Sequence, residues 1–215
     1  MYNILSSFAR LAPQKTEYYL AFAPQLHQIL AQVHQIDTAT YGANPILMLS
    51  TIPDLTIYTN LWLTLATFAA LQPGYPKMKA VRSEFKVVAQ DLIKIFNQNA
   101  RWNATELNLK EASNVAVAVA ILKLENEKFI GDVSDVIRML VTSEAEAQDL
   151  PNLAKSTFYM RNFKHSRDIY SQVHATAVTM HYNNQIPPDI KDTLTQIYTE
   201  QGLFEDSPFI IKRPT

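Results

Sequence analysis

The sequence predicts an all-α fold of stacked antiparallel helical hairpins, an α-solenoid-like arrangement, and three observations lead there. Apolar residues recur at helical spacing almost everywhere along the 215 residues. Pro and Ser/Thr/Asn/Asp signals stand where such helices should begin, and Gly202 stands where the last should end. No two segments alternate apolar and polar residues as a pair of strands would.

Taken in order, Ile4, Leu5, Phe8 and Leu11 make a short amphipathic segment within residues 1–16. Leu26, Ile29, Leu30, Val33 and Ile36 form one face of a helix entered through Pro24. Thr51-Ile52-Pro53-Asp54 has the spacing of a capping box, with Asp in place of the usual Glu or Gln. It opens a helix with Ile57, Leu61, Leu65 and Phe68 on its apolar face. Met78, Val81, Phe85, Val88, Leu92 and Ile95 continue the period, while Lys77, Arg82, Lys86, Asp91 and Lys94 face solvent. The polar run Asn97–Asn103 is a loop, after which Thr105 or Asn108 can cap the next helix.

Ser113–Leu122 alternates Val with Ala, which suits a strand on propensity. The alternation produces no polar face, however, and the flanks Lys110-Glu111-Ala112 and Lys123-Leu124-Glu125 favour a buried helix. Asp132-Val133-Ser134-Asp135 then begins a helix through Val136, Ile137, Leu140 and Val141. Pro151 starts one through Phe158 and Met160, and Ser166 caps one carrying Ile169, Tyr170, Val173 and Val178. Pro187-Pro188-Asp189 starts the last, with Ile190, Leu194 and Ile197. The domain plan is an N-terminal segment 1–16, one helical domain over 17–205 and a C-terminal tail 206–215.

Composition narrows the chemistry. The absence of cysteine excludes disulfides, thiol nucleophiles, iron–sulfur clusters and cysteine-ligated zinc. The four glycines, Gly42, Gly74, Gly131 and Gly202, are too scattered for a phosphate-cradling loop or a dinucleotide fingerprint. With 19 Lys+Arg against 20 Asp+Glu there is no global field to draw the chain onto nucleic acid or an anionic membrane. Charge is nevertheless uneven: in residues 1–76 only Arg10, Lys15, Glu17, Asp37 and Asp54 carry it. Leu55–Pro76 has none, yet Thr56, Asn60, Thr64 and Thr67 make a polar stripe along it, so it reads as a helix buried among helices and no transmembrane span is expected. The first sixteen residues hold Arg10 and Lys15 without an acid. That is the signature of a mitochondrial import segment, retained rather than cleaved, and equally of an ordinary helix docked on the core.

An internal repeat is readable in the second half. Asn114 placed over Asn152 sets Val115 over Leu153, Ala116 over Ala154, Leu122 over Met160 and Lys123 over Arg161, a shift of about 38 residues. A further shift sets Asp189-Ile190 over Asn152-Leu153, and Asn60-Leu61 with Phe68 fits the same frame after a longer interval. On these residues the chain resembles the organellar helical-hairpin repeat proteins, the pentatricopeptide and octotricopeptide-like families. The run Asn152–Asn162 followed by Asp168-Ile169-Tyr170 looks most like one such unit. The resemblance implies an organellar protein that binds RNA or serves as an accessory subunit of mitochondrial ribosomes or respiratory assemblies.

Candidate chemistry is sparse. His27/His34 and His174/His181 are seven apart, about 10 Å along a helix axis, too far to share a metal. Glu144, Glu146 and Asp149, with Glu125 and Glu127 upstream, lie in polar connections where they stay solvated and ionised. Arg161, Lys164, His165 and Arg167 are interleaved with Tyr159 and Phe163. Cations neutralise phosphates and rings stack on bases, so this is a candidate RNA or partner surface, against the alternative of a solvated turn. The tail residues Phe209, Ile210 and Ile211 can fold back or anchor in a neighbour, and the flanking prolines favour the neighbour. The expectation is a structural subunit binding protein partners in a mitochondrial assembly, such as ATP synthase or the ribosome, with RNA binding as the alternative. No catalytic, cofactor or metal site is expected.

Overall fold

A computed structural model of the chain describes Trp62, residues 86–90, 92–93, 107–202, 204 and 206–210. Everything described as regular structure is helical, with no strand among the described residues. The chain divides into two compact units, Met1–Asn103 and Ala104–Thr215, where the sequence reads as one domain over 17–205. The division falls at the end of the polar run Asn97–Asn103, which has no apolar residue but Ala100 and Trp102 to bury.

In the first unit Trp62 is helical and fully buried, and Val88 and Leu92 are buried on a helix as their spacing predicts. The import-like segment 1–16, the helix with Leu26–Ile36, the rest of the uncharged stretch and the Asn60 repeat unit lie outside the described residues. Among the described residues no helix is long and apolar enough to cross a membrane.

The described residues of the second unit form five α-helices: α1 Leu109–Leu122, α2 Glu127–Glu144, α3 Leu150–Met160, α4 Ile169–Tyr182 and α5 Pro188–Gln201. Short 3-10 turns, Ala147–Asp149 and Lys164–Ser166, precede α3 and α4. The ambiguous Val/Ala segment is the helix α1. Asn108 caps it: its Oδ1 accepts from Glu111 N–H at 2.9 Å, and Glu111 accepts from Asn108 N–H at 3.1 Å. The start of α2 is earlier than the sequence suggests. Asn126 is the cap, accepting from Phe129 N–H at 3.0 Å, so Asp132 and Asp135 are interior residues. The glycine at 131 masked this first turn and a half, because glycine weakens a helix on propensity alone. α3 starts with Pro151 in its first turn, and α5 with Pro188. α5 stops at Gly202, whose φ of 64° is the left-handed conformation glycine adopts without strain.

Ser166 does not cap α4. It sits in the 3-10 turn, fully buried, with its hydroxyl 2.7 Å from that of Ser134 on α2, which also donates to Ile130 C=O at 2.8 Å. A buried hydroxyl needs a partner, and the neighbouring helix supplies it.

Packing follows alternation along the chain: α1 packs on α2 and α3, α2 on α4, and α3 on α4 and α5. Burial gives the register. Leu109, Ala112, Ser113, Val115 and Ala116 of α1 correspond to Leu150, Leu153, Ala154, Ser156 and Thr157 of α3, all buried. Leu153, Ser156 and Thr157 are matched at the same spacing by Leu194, Ile197 and Tyr198 of α5, also buried. These matched positions lie 41 residues apart, against 38 in the Asn114-over-Asn152 alignment. α1 is buried over most of its surface, so sliding it by three residues still sets apolar over apolar.

Gly131 is buried in α2, and a methyl group there would meet His165 Cβ at 3.6 Å, an ordinary contact. Gly131→Ala should therefore raise the unfolding free energy by about 0.5–1 kcal/mol, read as a higher urea midpoint at unchanged slope.

Candidate functional site

The cationic cluster divides once it is folded. Arg161 ends α3 with its guanidinium 3.9 Å from the centre of the Phe158 ring, half-buried and facing its own domain. Its buried Nε lacks a hydrogen-bond partner. Tyr159 points the other way: its hydroxyl donates to Leu124 C=O at 2.9 Å, and Lys123 Nζ stands 4.6 Å over its ring. Burial, helped by the Glu125 charge, pushes its phenol up from the ordinary range. Phe163 packs edge-on against Tyr159 at 5.7 Å. Tyr159 thus braces the α1–α2 turn, with Lys123 over its ring and Phe163 packed against it. Lys164, His165 and Arg167 are exposed, as a surface role requires.

Lys164 and His165 share an open hollow of about 630 Å³ with Glu127, Asp132, Asp135 and Arg138 of α2. Here carboxylates stand among the cations. Arg138 is the centre: its guanidinium meets Asp168 (Nη2–Oδ1 2.7 Å, Nε–Oδ2 3.2 Å), pairs with Asp135 and donates to His165 C=O at 3.1 Å. Glu127 accepts from Lys164 N–H at 3.3 Å. The two-point Arg138–Asp168 contact clamps α2 to the turn before α4. The contact leaves no local signal in the sequence, because the partners are 30 residues apart and neither belongs to a local motif.

Arg138 holds the Asp168 carboxyl below the usual carboxylate range. A depressed carboxyl contributes stability above its ordinary value of about 3.9, and the contribution disappears as pH falls through the folded value. Arg138→Ala should cost about 1 kcal/mol in urea unfolding at pH 7, since Asp168 is exposed, and the difference from wild type should shrink at pH 3.

The described tail residues, 206–210, lie against their own unit. Phe209 is fully buried, stacked on Tyr198 of α5 at 5.7 Å and 5.4 Å from the His181 ring of α4. Folding back is thus the arrangement of Phe209 in this structure. Ile210 is half-buried and Ile211 lies outside the described residues. Apolar burial close at hand explains the outcome, since Phe204 also stacks on His174 at 3.8 Å and on Tyr170 at 5.2 Å. His174 Nε2 lies 2.9 Å from Ser207 Oγ, which in turn accepts from Phe209 N–H at 3.2 Å.

Desolvation lowers the pKa of His174. The undocked imidazole therefore takes up protons first, so its contribution is complete above about pH 6.5 and declines as pH falls below that. Tail amides at Phe209 and Ile210 should exchange faster at pH 5 than base catalysis alone predicts, and His174→Gln should remove the excess. Hydrogen exchange at several pH values checks this.

Among the described residues no group of three or more His, Asp or Glu is placed to hold a metal ion. Compared with known proteins, the chain matches no family model, no curated protein and no solved structure. Function has therefore to be read from the chain's own surfaces.

Proposed function

We propose that the chain is a non-catalytic structural or accessory subunit that binds protein partners within a large mitochondrial assembly, an energy-converting complex such as ATP synthase or the mitochondrial ribosome. The observation that carries the reading is the alternating helix packing. α1, α3 and α5 follow one another, α2 packs on α4, and each first helix packs on the second helix that follows it in α1–α2 and α3–α4. Two layers of stacked hairpins produce this pattern, because a single hairpin cannot bury its apolar face alone. The matched burial of Phe129, Ile130, Val133 and Ile137 with Ile169, Tyr170, Val173 and Ala177 supports the same stacking for the second helices. A stack of this kind works as an extended binding wall, and its uncommitted faces carry hydrogen-bonding groups. The mitochondrial location rests on the acid-free residues 1–16 and on the resemblance to organellar repeat families.

Sedimentation of the endogenous protein at low salt tests this. Co-migration with a particle far larger than 24.4 kDa is expected, together with cofractionation with mitochondria. A lone monomer would overturn it. RNA binding is the second reading, favoured by the exposed Lys164, His165 and Arg167 and weakened by the carboxylates interspersed at Arg138. It predicts salt-dependent RNA affinity that falls when Arg161, Lys164 and Arg167 are all changed to Glu.

A further inference from the structure

α4 differs from the other four helices of the second unit in one respect: none of its 14 residues is charged. The run without Asp, Glu, Lys or Arg extends from Ile169 to Pro188. α1, α2, α3 and α5 each place at least one charged residue in solvent, at Lys110, Lys128, Lys155 and Asp192. One face of α4 is used inside the unit, by the buried Ile169, Tyr170, Val173 and Ala177. The opposite face, with Ser171, Ala175, Thr179 and Tyr182, is exposed. Exposed helix faces ordinarily carry charge, whereas the centres of protein interfaces are depleted of it and enriched in Tyr and Met. Tyr182 is 71% exposed and Met139 of α2 54%, and these are the exposed large apolar side chains among the described residues of this unit. Each stands within one helical turn of residues lining a shared open concavity of about 430 Å³, Thr142 and Ser143 on α2 and Thr179 on α4.

The relief of this face suits a copy of itself. Ser171, Ala175 and Thr179 form an i, i+4 row of small side chains, and the row of Val178 and Tyr182 rises beside it. Thr179 Oγ1 donates to Ala175 C=O at 2.9 Å, so the low row makes no polar demand at its centre. A ridge and a groove on one helix fit a second copy turned by a two-fold axis, because the symmetry makes each contact twice. Charge agrees with this choice. A foreign surface bearing charges would bury them here unpaired, while the same face of a second copy brings none. Nucleic acid and anionic lipid would find no cation on α4 to receive a phosphate. We propose that α4 is the contact face of a two-fold homodimer, with Tyr182 of each copy seated on the low row of the other. Tyr182 over Ala175 makes the two helices cross antiparallel near Val178 and Thr179. α4 is about 21 Å long and α2 adds a helix width of about 10 Å, so the two copies together bury on the order of 1,000 Å². That is the size of a weak, reversible association, dissociating on the order of tens of micromolar.

The test is sedimentation of the isolated full chain as a function of concentration. The mass should rise reversibly from 24.4 kDa toward twice that value. Tyr182→Ala should weaken the association at least about tenfold, and Ala175→Arg should abolish it by setting two guanidinium groups against an uncharged face. Both positions are exposed, so helix content and the urea midpoint should stay as in wild type. Because the chain has no cysteine, a single introduced thiol reports alone. Thr179→Cys should oxidise to a covalent dimer at least about tenfold faster than Gln196→Cys, an exposed control on α5. A mass constant at 24.4 kDa up to about 1 mM assigns the face to a foreign partner and overturns the proposal. So does a dimer that survives Ala175→Arg, since its contact would lie elsewhere. Either result leaves co-migration of the endogenous protein with a large particle untouched.

Discussion

Phe209→Ala lowers the stability of the C-terminal unit by about 3–5 kcal/mol, the range for truncating a buried phenylalanine. The ring is fully enclosed, between Tyr198 on α5 and His181 on α4. Removing it takes away apolar burial and leaves a space that two helix-borne rings on rigid backbones cannot collapse to fill. The loss should also be regional. Ser207 and Phe209 are held by short-range turns, Ser207 N–H to Phe204 C=O at 2.8 Å and Ile210 N–H to Ser207 C=O at 3.1 Å, and these depend on the ring staying docked. Hydrogen exchange in the variant should therefore accelerate in α4, α5 and residues 204–210 while α1 and α2 keep most of their protection. Urea unfolding measures the global part. A midpoint unchanged from wild type would show that Phe209 does not occupy this place.

Leu153→Ala should cost a comparable amount, about 2–5 kcal/mol, for a different reason. Leu153 is fully buried on α3, the helix that packs against α1, α4 and α5. Its carbonyl accepts from Thr157 Oγ1 at 2.6 Å, so the main chain around the new cavity is held in place and relaxes little. Because α3 touches three other helices, the destabilisation should spread through all five and appear as one cooperative transition with a lower midpoint. In a stack of hairpins each unit is stabilised by its neighbours, so damage at the middle is felt on both sides and damage at the end on one. Comparing the exchange patterns of Leu153→Ala and Phe209→Ala thus tests the stacking as well as the individual contacts. Identical patterns would count against it.

The helical class, and four of the ten helix ends of the second unit, follow from local signals. Asn108, Pro151, Pro188 and Gly202 mark boundaries through capping, a fixed φ or a left-handed turn, each acting within one turn of chain. The all-Val/Ala face of α1 could be read as buried because alternation without a polar partner leaves nothing to face water. The charged surface residues Lys164, His165 and Arg167 were equally legible, since long charged side chains are rarely buried.

What needed the tertiary structure is everything set by contacts between distant segments. Ser166 has the residue type of a helix cap, yet it is used as a buried partner for Ser134, 32 residues away. Tyr159 and Phe163 look like a stacking platform in the sequence, but the Leu124 carbonyl and Lys123 engage Tyr159, and Phe163 packs on Tyr159. The tail's apolar residues specify that burial is wanted without saying where, and the ring cluster of Tyr170, His174 and Tyr198 supplies the place. The repeat step has the same character, because a period of three to four residues is satisfied by any slide of one turn. Local spacing determines what each segment is, since backbone hydrogen bonds in a helix close within four residues. Which segment meets which is decided by shape and unpaired polar groups brought together only when the helices pack.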